Sequence, residues 1–150
     1  MQFDKYLLNN YWHLICHRNE LPNNGDFIKF KTIIGDVVIF NDMGSIKVFD
    51  NKCAHRGAHI YTENFGSRPA SCKYHGWTYV NGNVLVPNPQ DFKECEIAFA
   101  KLNLYQTEWC GDFLFFSVTP LRDLYKQLDG AAEILENISF NIKSSIDMLP

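Results

Sequence analysis

A mainly antiparallel β domain is what this chain predicts, and three observations in the sequence predict it. From Trp12 the chain alternates sides, with the apolar Trp12, Leu14 and Cys16 on one and both histidines, His13 and His17, on the other, which is strand periodicity. Short apolar runs are broken every few residues by Gly, Asn and Asp, as at 21–26 (LPNNGD) and 42–45 (DMGS). Asn81-Gly82 stands between two such runs and favours a two-residue type I′ hairpin turn. The 150 residues suit one domain, and a 46% apolar content with twelve phenylalanines supports a packed core. A net charge of -3 gives no basic excess to draw nucleic acid or an anionic membrane.

Taken in order, residues 3–10 can form a short amphipathic helix through Phe3, Tyr6 and Leu7 that caps the β domain. From Trp12 the alternation puts Trp12, Leu14 and Cys16 on one side and His13, Ile15 and His17 on the other. His13 and His17 would share a helix face as a metal pair. Strand alternation and the lack of a neighbouring carboxylate partner instead make them exposed strand histidines. Segments 27–31, 36–40 and 46–49 read as strands, as do 78–80 and 83–86 around Asn81-Gly82, with a loop at 87–90. Two further strands are expected at 98–107 and 113–118, separated by a turn at 110–112. Pro120 then opens helical stretches at 121–128 and 131–138, with Leu121, Leu124, Tyr125, Leu128, Ile134, Leu135 and Ile138 at helical spacing. They are expected to cap the β domain. No basic segment followed by an apolar run opens the chain, and no stretch is apolar for long enough to span a membrane. A cytoplasmic protein without a membrane partner is expected.

The chemistry concentrates between residues 53 and 77, CAHRGAHIYTENFGSRPASCKYHGW. Cys53 and His55 form a C-x-H pair and Cys72 and His75 a C-x-x-H pair, so two loops offer four metal ligands. Two cysteines and two histidines suit either a zinc ion or a 2Fe-2S cluster in which two histidines replace two cysteines on one iron. Structural zinc sites usually put like ligands on the same knuckle. Here each loop is mixed, which suits the iron cluster: each loop gives a thiolate to one iron and an imidazole to the other.

CAHRG at 53–57 and CKYHGW at 72–77 resemble the cluster-binding box of Rieske domains, specifically those at the N-terminus of the large (alpha) subunit of Rieske non-haem iron, ring-hydroxylating oxygenases. The likeness extends through Tyr11 to Leu21, Gly35 to Cys53 and Leu104 to Pro120. It implies a Rieske-type β-sandwich or barrel over residues 1–120, with a two-loop cluster-binding subdomain, and a helical C-terminal extension at 121–150. It also implies a Rieske 2Fe-2S cluster on Cys53, His55, Cys72 and His75, and one-electron transfer as the function. A reductase or ferredoxin would be the electron donor, and a mononuclear non-haem iron oxygenase chain the acceptor. Respiratory Rieske proteins carry two additional cysteines where this sequence has Ala58 and Tyr74, so the resemblance implies the lower-potential oxygenase and ferredoxin branch.

No histidine follows His75, so residues 76–150 cannot supply the two-histidine, one-carboxylate iron site of those oxygenases. A split oxygenase half, a free-standing Rieske ferredoxin and a structural zinc module are the readings that remain, in that order. Gly57 and Gly76 let the ligand loops turn sharply and aim N–H groups at sulfur. Tyr74 and Trp77 are expected in the core, Arg56 either docks an acidic partner or sits in a local salt bridge, and His59 falls outside the ligand spacing. Cys16, Cys95 and Cys110 read as buried reduced thiols.

Overall fold

The computed structural model describes residues 2–147. In chain order its elements are α1 (Gln2–Asn10), β1 (His13–His17), β2 (Asp26–Thr32), β3 (Gly35–Asp42), β4 (Ser45–Asp50), β5 (Phe65–Ser67), β6 (Ala70–Ser71), β7 (Thr78–Val80), β8 (Asn83–Leu85), α2 (Glu94–Ala98), β9 (Gln106–Cys110), β10 (Phe113–Ser117), α3 (Leu124–Leu128) and α4 (Gly130–Asp147). They divide into a central unit, residues 21–105, and a terminal unit that joins the two ends of the chain.

The central unit holds a four-stranded sheet in the order β4-β3-β2-β5 and a three-stranded sheet β6-β7-β8, both antiparallel. β3 and β2 are the inner strands, and β3 is the more deeply buried. Its run Val37-Val38-Ile39-Phe40 is buried without alternation, the pattern of a strand covered on both faces. The turns behave as their residues demand. Met43-Gly44 and Asn81-Gly82 all take positive φ, so both hairpins close tightly. Phe27, Val38, Phe40, Phe49, Tyr61, Trp77 and Tyr79 form one core with Cys53 and Cys72, which places the thiols on the wall of the hydrophobic interior.

The strand expected at 98–107 is replaced by α2 and an irregular run. The Glu96 carboxylate accepts the Lys93 backbone N–H at 2.9 Å, starting a helical turn where β-propensity alone favours extension. Beyond it, Leu104 makes a single bridge to Phe49, flanked by Asp50 N to Asn103 O and Tyr105 N to Val48 O bonds. The strand proper begins only at Gln106.

In the terminal unit the sheet order is β1-β10-β9. A bulge between Leu14 and Cys16 pairs Leu14 with Phe115 and Cys16 with Leu114. The extra residue breaks the two-residue period, so Trp12 and Cys16 are buried while Leu14 is 55% exposed. His13 and His17 are not exposed strand histidines but half-buried. His13 Nε2 lies 2.9 Å from the Leu7 carbonyl, and the His17 ring meets Phe113 edge-on. Gln127 bonds both the N–H and the carbonyl of Trp12, and the Trp12 indole donates to the Arg122 carbonyl.

α1 forms as expected, although Phe3 and Tyr6 remain exposed. The helix expected from 121 starts at Leu124, after an extended Asp123, and α4 runs to Asp147 instead of ending at 138. Leu124, Leu128, Ala132 and Leu135 pack with Trp12, Cys110 and Phe115, leaving Ile134 and Ile138 exposed. The last three residues of the expected 121–150 extension lie outside the described residues. Among the described residues the sheets stay open and none closes into a barrel, and no helix is long and apolar enough to cross a membrane.

Candidate metal centre

The two loops share one backbone design. In the first, Gly57 N–H donates to the Cys53 carbonyl and Cys53 N–H to the Ala58 carbonyl, both at 2.8 Å. In the second, Gly76 N–H donates to the Cys72 carbonyl at 2.8 Å and Cys72 N–H to the Trp77 carbonyl at 2.9 Å. Gly57 and Gly76 have φ of 72° and 70°, a conformation glycine adopts without a Cβ penalty. The fourth residue after each cysteine closes the loop, while the histidine falls second in one loop and third in the other. The glycine N–H groups therefore go to carbonyl oxygen and not to sulfur. It is the His55 N–H that bonds the Cys53 sulfur.

This geometry sorts the four donors by type. The Cys53 and Cys72 thiols interact directly and are both buried. The His55 and His75 rings stand 4.7 Å apart at 83° and lie outward, His75 exposed and His55 half-buried. All four line one cleft of about 250 Å³ together with Arg56, Ala58 and Tyr74. Among the described residues no group of three or more His, Cys, Asp or Glu side chains is arranged to hold one metal ion. A thiol pair and an imidazole pair fit a two-iron group, which asks for two protein ligands per metal, better than a single tetrahedral ion.

The surroundings tune the thiols. Burial pushes the Cys53 thiol up, opposed by hydrogen bonds from the Tyr79 hydroxyl and the His55 N–H, and the adjacent Cys72 raises it further. Ala54 N–H donates to the Tyr79 oxygen at 2.8 Å, and the same oxygen lies 3.3 Å from the Cys53 sulfur. Since the hydroxyl already accepts from Ala54, its own proton is free to point at sulfur. The spacer between the loops is pinned as well. Asn51 exchanges two hydrogen bonds with the Tyr61 backbone at 2.7 and 2.9 Å, and Arg68 lies over the Tyr61 ring while bonding the Ile60 carbonyl and Glu63.

Of the other residues singled out in the sequence, Trp77 is fully buried as expected, and its indole stacks on His55 at 4.8 Å. Tyr74 is not in the core but 65% exposed at the cleft. Arg56 is exposed and makes no ion pair among the described residues. His59 lies 4.0 Å from the Asp36 carboxylate. Cys16 and Cys110 are buried, whereas Cys95 is exposed on α2. Sequence reasoning missed Tyr79 and Phe92, both of which touch the donor set. Tyr79 was legible in principle, because it shares a strand face with Trp77 two residues before it.

The fold and the site define a Rieske domain, and the sequence matches the Rieske [2Fe-2S] domain family over residues 11–96. The chain belongs to that family, whose group is a Rieske-type 2Fe-2S cluster. It is 39% identical over 82 residues to the biphenyl dioxygenase alpha subunit of Metapseudomonas furukawaii, covering 52% of this chain and 18% of that one. It is 36% identical over 102 residues to the benzene 1,2-dioxygenase alpha subunit of Pseudomonas putida, covering 65% and 21%. The structure of naphthalene 1,2-dioxygenase from Rhodococcus sp. superimposes with a TM-score of 0.77 at 25% identity, over 90% of this chain and 32% of that one. The chain thus spans about a fifth of the length of these alpha subunits and resembles their Rieske portion.

Proposed function

We propose that Cys53 and Cys72 hold the inner iron, and His55 and His75 the outer iron, of a Rieske 2Fe-2S cluster, and that the chain carries single electrons to an oxygenase. The observation that carries this reading is the sorting of donors into a buried thiol pair and an outward imidazole pair on two matched loops. Bound there, the cluster stores one electron, and neutral imidazoles in place of two thiolates leave less negative charge opposing reduction, within a range of roughly -150 to +300 mV.

The chain's own residues do the rest. The core behind the thiols excludes water, and Tyr79 and the His55 amide direct N–H and O–H groups at the inner sulfur. The outward imidazoles form the face through which an electron passes. Arg56 and Lys73, exposed one on each ligand loop, suit a reductase or ferredoxin donor with an acidic docking surface. The acceptor is a mononuclear non-haem iron centre outside residues 1–150. We assign residues 1–120 to the Rieske domain and 121–150 to a C-terminal extension, which carries α3 and α4. Cys16, Cys95 and Cys110, unbridged and outside the ligand set, support the reducing cytoplasm as its location.

Iron and acid-labile sulfide assays on anaerobically purified protein test the ligand assignment. Two of each per chain, lost in Cys53→Ser and His75→Ala, are expected; one zinc and no sulfide would contradict it.

A further inference from the structure

We infer that Phe92 is a positioning residue for the metal centre, holding the two imidazoles edge-on to each other and limiting the water that reaches half-buried His55. The inference rests on His55 and His75 being the outer-iron ligands proposed above. The Phe92 ring stands at 89° to both imidazoles, with centroids 5.1 Å from His55 and 6.1 Å from His75. It also meets Trp77 edge-on at 5.2 Å. Trp77 in turn stacks on His55 with only 20° between the planes. Each imidazole is therefore held by rings as well as by its loop, and Phe92 is the member common to both.

Phe92 comes from outside the 53–77 stretch, and its setting shows what it is for. Residues 87–91 and 93–96 around it are all exposed, while Phe92 is half-buried. A phenylalanine has no polar handle, so its ring is held by packing against the ligand rings and Trp77. The backbone delivers the ring to a fixed place. Asn88 adopts a left-handed conformation, Pro89 opens a single 3-10 turn, and Phe92 N–H returns to the Pro89 carbonyl at 3.2 Å. Lys93 then starts α2 at once. At the other end Pro87 packs so closely over the second loop that a Cβ on Gly76 would lie 3.0 Å from its Cγ.

The consequence is electrostatic. A cluster on two thiolates and two neutral imidazoles becomes more negative by one charge on reduction, and water beside the imidazoles favours the more charged form. A ring that keeps some of this water from His55 holds the potential down and the imidazole planes crossed.

The test is a redox titration of the loaded full chain, with electron paramagnetic resonance and nitrogen hyperfine couplings recorded on the reduced form, for wild type, Phe92→Ala and Phe92→Leu. Phe92→Ala is expected to keep two iron and two sulfide. Its midpoint should rise by about a tenfold change in the reduction equilibrium, which is about 59 mV for one electron, with altered nitrogen couplings. Phe92→Leu keeps the apolar bulk and should return most of the midpoint while leaving the couplings altered. A loaded Phe92→Ala with unchanged midpoint and couplings overturns the inference and leaves the ligand assignment standing. If Phe92→Ala loads poorly, the couplings of Phe92→Leu decide: altered supports the inference, unchanged overturns it. A wild-type chain without two iron and two sulfide overturns both.

Discussion

Replacing Tyr79 by phenylalanine deletes one oxygen atom and two interactions. The Ala54 N–H loses its acceptor at 2.8 Å, and the Cys53 sulfur loses a donor at 3.3 Å. The Tyr79 side chain is buried, at 5% exposure, so water does not replace the hydroxyl in place. The bond to Ala54 is only partly buried, which sets the stability loss near the lower end of the usual penalty for an unsatisfied donor, about 1 kcal/mol. The effect on the cluster is separate. A hydrogen bond to a charged acceptor contributes about 1.5–3 kcal/mol, and it strengthens when the sulfur gains negative charge on reduction. If roughly half of a 2 kcal/mol bond is that difference, then at about 1.4 kcal/mol and 59 mV per tenfold the midpoint falls by about 40 mV. Titration of wild type and Tyr79→Phe, both at full cluster content, measures it. A midpoint that stays in place or rises would refute the assignment of the hydroxyl proton to Cys53.

Three further outcomes are expected. Gly111→Ala should destabilise the chain by about 2–4 kcal/mol in urea unfolding, since φ is +59° and the added Cβ would meet the Ser139 Oγ and Cβ and the Glu136 backbone. Arg56→Glu should slow association with an acidic electron-transfer partner by about tenfold at low salt, with the difference vanishing as ionic strength rises in stopped-flow traces. Alkylation of the folded chain at pH 8 should label exposed Cys95 well before Cys16, whose thiol is pushed up to about 12 by burial and by Glu20. Because the folded state keeps that proton after the unfolded chain has released it, Cys16 contributes stability below its ordinary pKa near 9, and this is lost as pH climbs towards about 12. Urea midpoints across that window should fall less for Cys16→Ala.

Much of this was legible because local chemistry dictated it. Asn81-Gly82 takes the positive φ pair that its hairpin requires, and the mixed C-x-H and C-x-x-H loops bring their four donors to one cleft. What misled was tertiary. The bulge at Ile15 turned Leu14 outward although its spacing matched Trp12 and Cys16. Apolar residues in 98–107 read as a strand, but Glu96 caps a helical turn and the following run pairs with Phe49 only once. The bulk of Tyr74 suggests a core position, yet it lies on the outward side of its loop beside His75. Phe92 carried no signal at all, because its partners are 15 to 37 residues away and its own neighbours read as a loop.

If Cys53, His55, Cys72 and His75 hold a redox-active two-iron cluster, reduction must leave an unpaired electron on it. Electron paramagnetic resonance of the purified protein before and after dithionite detects that electron. The oxidised protein should be silent, and reduction should give a rhombic signal with nitrogen couplings from two imidazoles that is absent in Cys72→Ser. A protein silent in both states that carries one zinc per chain would contradict that assignment.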